Sequence, residues 1–212
     1  MENIFLTTVH QISKLHPTQF CVGQLEINEK VKKYSQMSHN ELMGLMKDKS
    51  VPLVLGPNKI SYMIDRHHNV SAFLQVGMNE VYAHYIADLS FLSQDKFEQV
   101  MKICNWTWLY DENHQEKHFN ELPNSITILV NDPYRSLMYL LRESKVLNKD
   151  ESVPFIEFSW AQIIRKHIKL TNHDELLIHQ AFYDVLNLMD KGKIVIKDMD
   201  LKKVKELLNE RK

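Results

Sequence analysis

The chain has 212 residues, 26 Lys and Arg against 27 Asp and Glu for a formal net charge of −1, and 44% hydrophobic with 25% charged residues. This balance describes one large folded domain, or a domain with an extension, and excludes both a disordered chain and a whole-protein positive field that would draw in nucleic acid. Two cysteines without metal-ligand spacing, a start without a basic leader, and no apolar run near the roughly 20 residues of a membrane span lead to the expectation of a cytoplasmic protein.

In chain order, residues Asn3 to Glu29 carry apolar side chains on both sides of LHPTQ, where Pro17 forbids a helix interior, so a strand or extended arm is expected. Glu26 and Glu29 then fall among Ile27, Val31 and Tyr34 at helical spacing, which places both glutamates on a solvent face. Asn40 to Lys49 reads as a Met-rich helix whose Leu42, Met43, Leu45 and Met46 serve the core. VPLVL is a continuous apolar run suited to a buried strand, and GPNK turns it into ISYMI, giving a hairpin with Asp65 at its far end.

The stretch Ile60 to Gly77 changes period in the middle. Ile60, Tyr62 and Ile64 alternate as in a strand, whereas Val70, Phe73 and Leu74 follow helical spacing up to Gly77, a helix stop. Asp65 is placed to cap that helix, so Arg66, His67, His68 and Asn69 enter the first turn, where the helix dipole and unpaired N–H groups favour an anion. The plain alternative is a helix cap with two solvated histidines.

Further along, VYAHYIADLS alternates with Tyr82, His84, Ile86 and Asp88 on one strand face and Val81, Ala83, Tyr85 and Ala87 on the other. His84 and Asp88 are about 13 Å apart in such a strand, too far to share a metal. His84 with His67 or His68 remains an alternative for a divalent ion, against simple hydrogen bonding. FEQVMKI is helical, and WTWLYDENHQEKHF reads as an aromatic strand entering a polar loop. In NDPYRSL, Asp132 caps a helix begun by Pro133, and Arg135 in its first turn calls for an acidic or phosphate partner. An ion pair with Glu157 is the preferred reading, and ligand contact the other. Thr171 to Asp190 reads as an amphipathic helix, IVIK as a short strand or extended piece, and Leu201 to Leu208 as a last helix with Leu201, Val204, Leu207 and Leu208 on one stripe.

Six blocks in order, LHPTQFCVGQLEI, VPLVLGP, YMIDRHHNVSAF, ADLS, NDPYRSL and PFIEFSWAQIIR, resemble the ParB-like nuclease branch of the ParB/sulfiredoxin superfamily. The resemblance implies an α+β fold, a small mixed sheet flanked by helices with a mainly helical C-terminal part. Residues 1–170 are then the ParB-like domain, with a core of about 12–92 and a family-specific extension of about 93–170, and 171–212 a helical extension. It also implies a phosphate or nucleotide ligand at the Asp65–His68 corner, with Thr18 and Gln19 beside it, because relatives of this fold bind CTP, phosphorylate free serine or repair over-oxidised peroxiredoxin.

Two departures bear on the chemistry. Gln19 stands where free-serine kinases carry an acid, and an amide is no general base. Asn69 follows the histidines where many relatives place an arginine. The candidate catalytic residues are Asp65, His67 and His68, and the candidate ligand-binding residues are Arg66, Asn69, Thr18, Gln19, Lys59, His84 and Arg135, with no metal ligands assigned. The expected chemistry is phosphodiester hydrolysis or phosphoryl transfer, the other class being a nucleotide-responsive binding protein without turnover. No cofactor is assigned, a divalent metal ion and a nucleotide being the alternatives left open. The expected partner is a phosphate-bearing small molecule or nucleotide. Nucleic acid gains no support from the net charge, and no membrane partner is expected.

Overall fold

The computed structural model describes residues 6–150, 153–170, 174–197 and 199–211. These residues form two compact units, one of residues 6–20 and Ile27–Val130, the other of Cys21–Glu26 and residues from Asn131 onward.

The first unit is built on a five-stranded sheet of β1 (Thr8–Gln11), β2 (Leu15–Pro17), β4 (Val51–Leu55), β5 (Ser61–Met63) and β6 (Glu80–Asp88) in the order β1-β6-β4-β5-β2. β1 with β6 and β4 with β5 are antiparallel, while β4 with β6 and β2 with β5 are parallel, so the sheet is mixed. The hairpin expected from VPLVL and ISYMI is present, with Leu53 opposite Met63 and Leu55 opposite Ser61. One face carries Val54 and Tyr62, packed with Phe97 and Met101 of α4 (Gln94–Ile103) and with Phe119. Leu53 and Met63 alternate to the opposite face and are fully buried, as are Val70 and Ala72 of α3 (His67–Gln75), whose Phe73 stacks on Tyr34 at 4.9 Å.

β6 departs from the simple alternation read in its sequence. Leu53 pairs with Tyr85 but Val54 with Ala87, so a bulge at Ile86 sends Tyr85 and Ala87 to different faces. The Tyr85 hydroxyl meets the Ser61 hydroxyl at 2.7 Å on one side, while Ala87 joins the Tyr62 cluster on the other. The WTWLY segment is also corrected. It makes isolated bridges from Trp108 to Gln19 and from Tyr110 to Glu116 instead of a strand, its backbone being drawn to Thr18. α2 (His39–Asp48) begins at a Ser38 capping box with Glu41, and it buries Leu42 and Met46.

Where the chain passes between units, Val130 donates to the Phe20 carbonyl within the first and Asp132 to the Val22 carbonyl within the second. These bonds belong to a short sheet of β3 (Cys21–Val22) and β7 (Val130–Asn131), and α1 (Gln24–Tyr34) runs on from β3. The second unit contains α5 (Pro133–Glu143), α6 (Ile156–Arg165), α7 (Glu175–Asp190) and α8 (Leu201–Glu210). Its core joins Leu137, Met138, Leu141, Ile164, Val185, Leu186 and Val204.

Asp132 caps α5 as expected, accepting from the Tyr134 N–H at 2.9 Å. α7 starts at its Asp174 cap, and residues 171–173 of the stretch expected to be helical lie outside the described residues, as do residues 3–5 of the first arm. IVIK is irregular, with Ile194 and Ile196 buried, and Leu201 is exposed although Val204 is not.

Buried charges tie the second unit together. Arg135 pairs with Glu157 at 2.7 Å, as the sequence led us to expect, and Arg142 bridges Glu157 and Glu26. Glu26 is therefore buried at 5% exposure instead of lying on a solvent face, because Arg142 supplies its counter-charge; Glu29 is exposed. Burial opposes the charge on Arg142, but Glu26 and Glu157 outweigh it and hold the guanidinium more firmly protonated. Arg165 closes the set on Asp132 at 2.5 Å while its guanidinium covers the Tyr134 ring at 3.9 Å.

Gly23 lets α1 enter this arrangement closely, since a Cβ there would lie 2.8 Å from the Arg135 carbonyl carbon and 2.9 Å from the Ser136 nitrogen. Backbone cannot yield as a side chain does. Gly23→Ala should therefore lower stability by roughly 1–3 kcal/mol, seen as a reduced urea midpoint with an unchanged slope.

Candidate functional site

The corner after β5 is assembled from four stretches of the first unit. β5 ends at Met63, whose carbonyl accepts from the Thr18 hydroxyl at 2.9 Å, and the next residue, Ile64, donates to the Pro52 carbonyl at 3.2 Å. The chain then turns through exposed Asp65 and enters α3 at Arg66.

Asp65 does not cap the helix. The cap position is Arg66, held left-handed at φ 70° and ψ 14°, and its side chain makes no capping hydrogen bond. A left-handed non-glycine residue costs roughly 1–2 kcal/mol, so this backbone is held by its surroundings. The reason for the shift is geometric: bonds from Thr18 to Met63 and to His67 fix the two sides of the turn, and the intervening residues must close it.

His67 is 3% exposed, and its Nε2 accepts from the Thr18 N–H at 3.3 Å. An accepting Nε2 places the ring proton on Nδ1 of a neutral imidazole. His67 thus ties the turn to Thr18 and is not solvated, which corrects the plain alternative of a helix cap with two solvated histidines. His68 is half-buried, Asn69 is buried, and Gln19 is buried with its backbone bridged to Trp108.

Arg66 lies in the first turn, its Asp65 neighbour 3.8 Å away and its Nε buried without a hydrogen-bond acceptor among the described residues. His84 is the basic neighbour across the sheet. It pairs with Pro52 of β4, its Nδ1 lies 2.8 Å from the Ser50 hydroxyl, and burial followed by the Arg66 charge lowers its pKa below the usual histidine value.

The structure thus gathers Thr18, Arg66, His67 and His84 with the neighbouring Asp65, His68 and Asn69. It leaves out Lys59, which precedes β5 while the corner follows it, a separation of about 13 Å of extended chain. Arg135 belongs to the second unit, where Glu157 holds its Nη2 and the Phe158 ring lies 4.1 Å from the guanidinium, which is the preferred ion-pair reading and not the ligand contact that was its alternative. Ser50 was not legible as a site residue, since a serine after a helix reads as a terminator and its partner is 34 residues away. Among the described residues no group of three or more His, Cys, Asp or Glu side chains is arranged for a metal ion. On the Tyr62 face a cleft of about 420 Å3 opens between His16, Tyr62, Phe119 and Asn124, lined by no residue of the corner.

A curled mixed sheet whose parallel pair β2–β5 delivers the chain into a strand-to-helix corner defines a ParB-like α+β fold. A family model described as "Putative ParB-like nuclease" matches residues 8–166, and the chain belongs to that family. It is also similar to the crystal structure of protein Atu1540 from Agrobacterium tumefaciens, at 31% identity and a TM-score of 0.73, over 86% of this chain and 90% of that one. Among curated proteins no match was found.

Two outcomes follow from the histidines. His67→Ala leaves the buried Thr18 N–H without an acceptor and should cost roughly 1–3 kcal/mol, so its melting temperature falls clearly below that of His68→Ala. Burial lowers the pKa of His10, His16 and His84 from 6.5. As pH falls below that value the unfolded chain takes up protons first, so stability is lost as pH drops through the folded pKa values. Urea midpoints should therefore decline from pH 7 to pH 5, and less steeply in a variant with all three replaced by Gln.

Proposed function

We propose that this ParB-like protein binds a phosphate-bearing ligand, a nucleotide or a phosphodiester, at the start of α3. The observation that carries the reading is Arg66: a strained left-handed cap residue at the positive end of a helix, its buried Nε without a hydrogen-bond acceptor among the described residues. Strain of this kind persists where the surrounding structure enforces it, and it clusters at ligand sites. The first N–H groups of α3 have no intrahelical acceptor, and a helix terminus alone contributes only about 0.3–1 kcal/mol to holding an exposed anion. A guanidinium beside it adds a charge-assisted bond of roughly 1.5–3 kcal/mol, which brings the affinity into a useful range.

The reaction proposed is phosphodiester hydrolysis or phosphoryl transfer, with His68 and Asp65 as the acid and base nearest the bound phosphate and His67 positioning the helix. Binding without turnover is the second reading, favoured by the commitment of the His67 Nε2 to Thr18. A nucleotide or other phosphate compound is the proposed partner, and with a net charge of −1 a nucleic acid would be held locally or not at all. The cytoplasm is the proposed compartment, in keeping with Cys21 and Cys104 not being joined in a disulfide. No described helix is long and apolar enough to cross a membrane.

Arg66→Gly tests the site without breaking the fold, because glycine adopts φ 70° freely. The variant should melt at or above the temperature of the parent, yet bind phosphate compounds roughly 10–100-fold more weakly in calorimetric titrations with nucleotides and phosphodiesters. Equal affinity in both proteins would overturn the reading.

A further inference from the structure

We propose that Ser50 is a nucleophile, activated by His84, and that it accepts a phosphoryl group from a phosphate ester or anhydride. The proposal rests on the phosphate reading of the corner and gives that site a covalent step. Its geometric basis is the 2.8 Å contact between the Ser50 hydroxyl and His84 Nδ1, joining the residue that enters β4 to the middle of β6. A nucleophile and a base within hydrogen-bond reach are the required pair.

Three features separate this pair from a simple strand tie. Ser50 is only partly buried, so solvent can satisfy its hydroxyl and a ligand can reach it. His84 is held towards its neutral form by burial and by Arg66, and a neutral imidazole can take a proton from the hydroxyl beside it, whereas an imidazolium gives one. The surroundings are cationic as well. The Arg66 charge acts on His84, and the Lys47 ammonium stands 5.7 Å from the ring of Tyr82, two residues before His84 on the same strand. α2 ends at Asp48, so about half a negative charge from its dipole lies near Ser50, and the full charges of Lys47 and Arg66 outweigh it.

In the step itself the Ser50 Oγ forms a bond to phosphorus as the bond from phosphorus to the leaving oxygen breaks. The hydroxyl proton passes to His84 Nδ1. The leaving alcohol or phosphate departs with the electron pair and recovers a proton from the His84 imidazolium. Water then attacks the phosphoserine, again losing its proton to His84, and releases inorganic phosphate or a phosphomonoester with Ser50 restored.

A fluorophosphonate probe reads the activated hydroxyl directly, since attack forms an Oγ–P bond and expels fluoride. Intact-mass measurement and peptide mapping of the full chain should find one adduct, on Ser50, absent in Ser50→Ala. In His84→Gln the labelling rate should fall by about 100-fold or more, the scale of general-base assistance. Ser50→Ala, changing a partly exposed hydroxyl, keeps the fold and controls for loss of structure, and circular dichroism does so for His84→Gln. Failure of the parent protein to label at Ser50, or equal rates in a folded His84→Gln, overturns the proposal. If neither is labelled while Arg66→Gly still abolishes phosphate binding, the nucleophile falls and the binding site stands. Labelling of Ser50 that nucleotides and phosphodiesters slow in the parent but not in Arg66→Gly supports both.

Discussion

Thr18 is the residue on which the corner depends. It is fully buried, and every polar atom it has is used. Its N–H donates to His67 at 3.3 Å, its hydroxyl to the Met63 carbonyl at 2.9 Å, and its own carbonyl accepts from the Trp108 N–H and the Thr107 hydroxyl, both at 2.9 Å. Each such bond contributes about 1 kcal/mol net, whereas a buried group left unpaired costs roughly 1–3 kcal/mol. The larger number is the cost of failure, so the four contacts enforce one another. They fix where β2 ends, where β5 ends and where α3 begins, and the ring of His67 follows from them.

Arg66 absorbs the consequence. With Met63 and His67 both bonded to Thr18, the residues between them must close a tight turn, and the left-handed conformation at Arg66 does so. The strain of roughly 1–2 kcal/mol is smaller than the combined loss of the Thr18 contacts. A glycine would remove the strain, but with it the guanidinium whose Nε is buried at this turn. The buried charges of the second unit follow another logic. Breaking Glu157 away would leave Arg135 and Arg142 without their shared carboxylate, but the intact set adds little net stability over apolar packing, because desolvation offsets attraction. Their effect is to specify how α5 and α6 meet Glu26.

Much of this was legible where periodicity speaks. The alternation of Ile60, Tyr62 and Ile64 and the helical spacing of Val70 and Phe73 located the corner, and the Asp132 cap and the Arg135–Glu157 pair followed from local rules. What failed was set by distant partners. An Asp before a helix reads as its cap, and only the two bonds from Thr18 move the cap to Arg66. Glu26 looks like a surface residue until Arg142 comes to meet it, and the bulge at Ile86 leaves no mark in an alternating strand. WTWLY has strand composition, yet its hydrogen bonds go to Thr18 and to a hairpin-like loop instead of a neighbouring strand.

Ser50 was the least legible residue, and the reason is topological. β4 lies parallel to β6, which brings the start of β4 beside the middle of β6, so the residue before Val51 meets His84. No local pattern encodes a parallel pairing across 34 residues. The other parallel pair, β2 with β5, brings LHPTQ to the DRHH turn in the same way. These residues are therefore held by two long-range pairings around the β4–β5 hairpin, whose pairing from Leu53–Met63 to Leu55–Ser61 ties both together. Each parallel pair brings residues distant in sequence to the hairpin, His84 to Ser50 and Thr18 to Met63 and His67, so their spacing is set by backbone pairing instead of by local sequence.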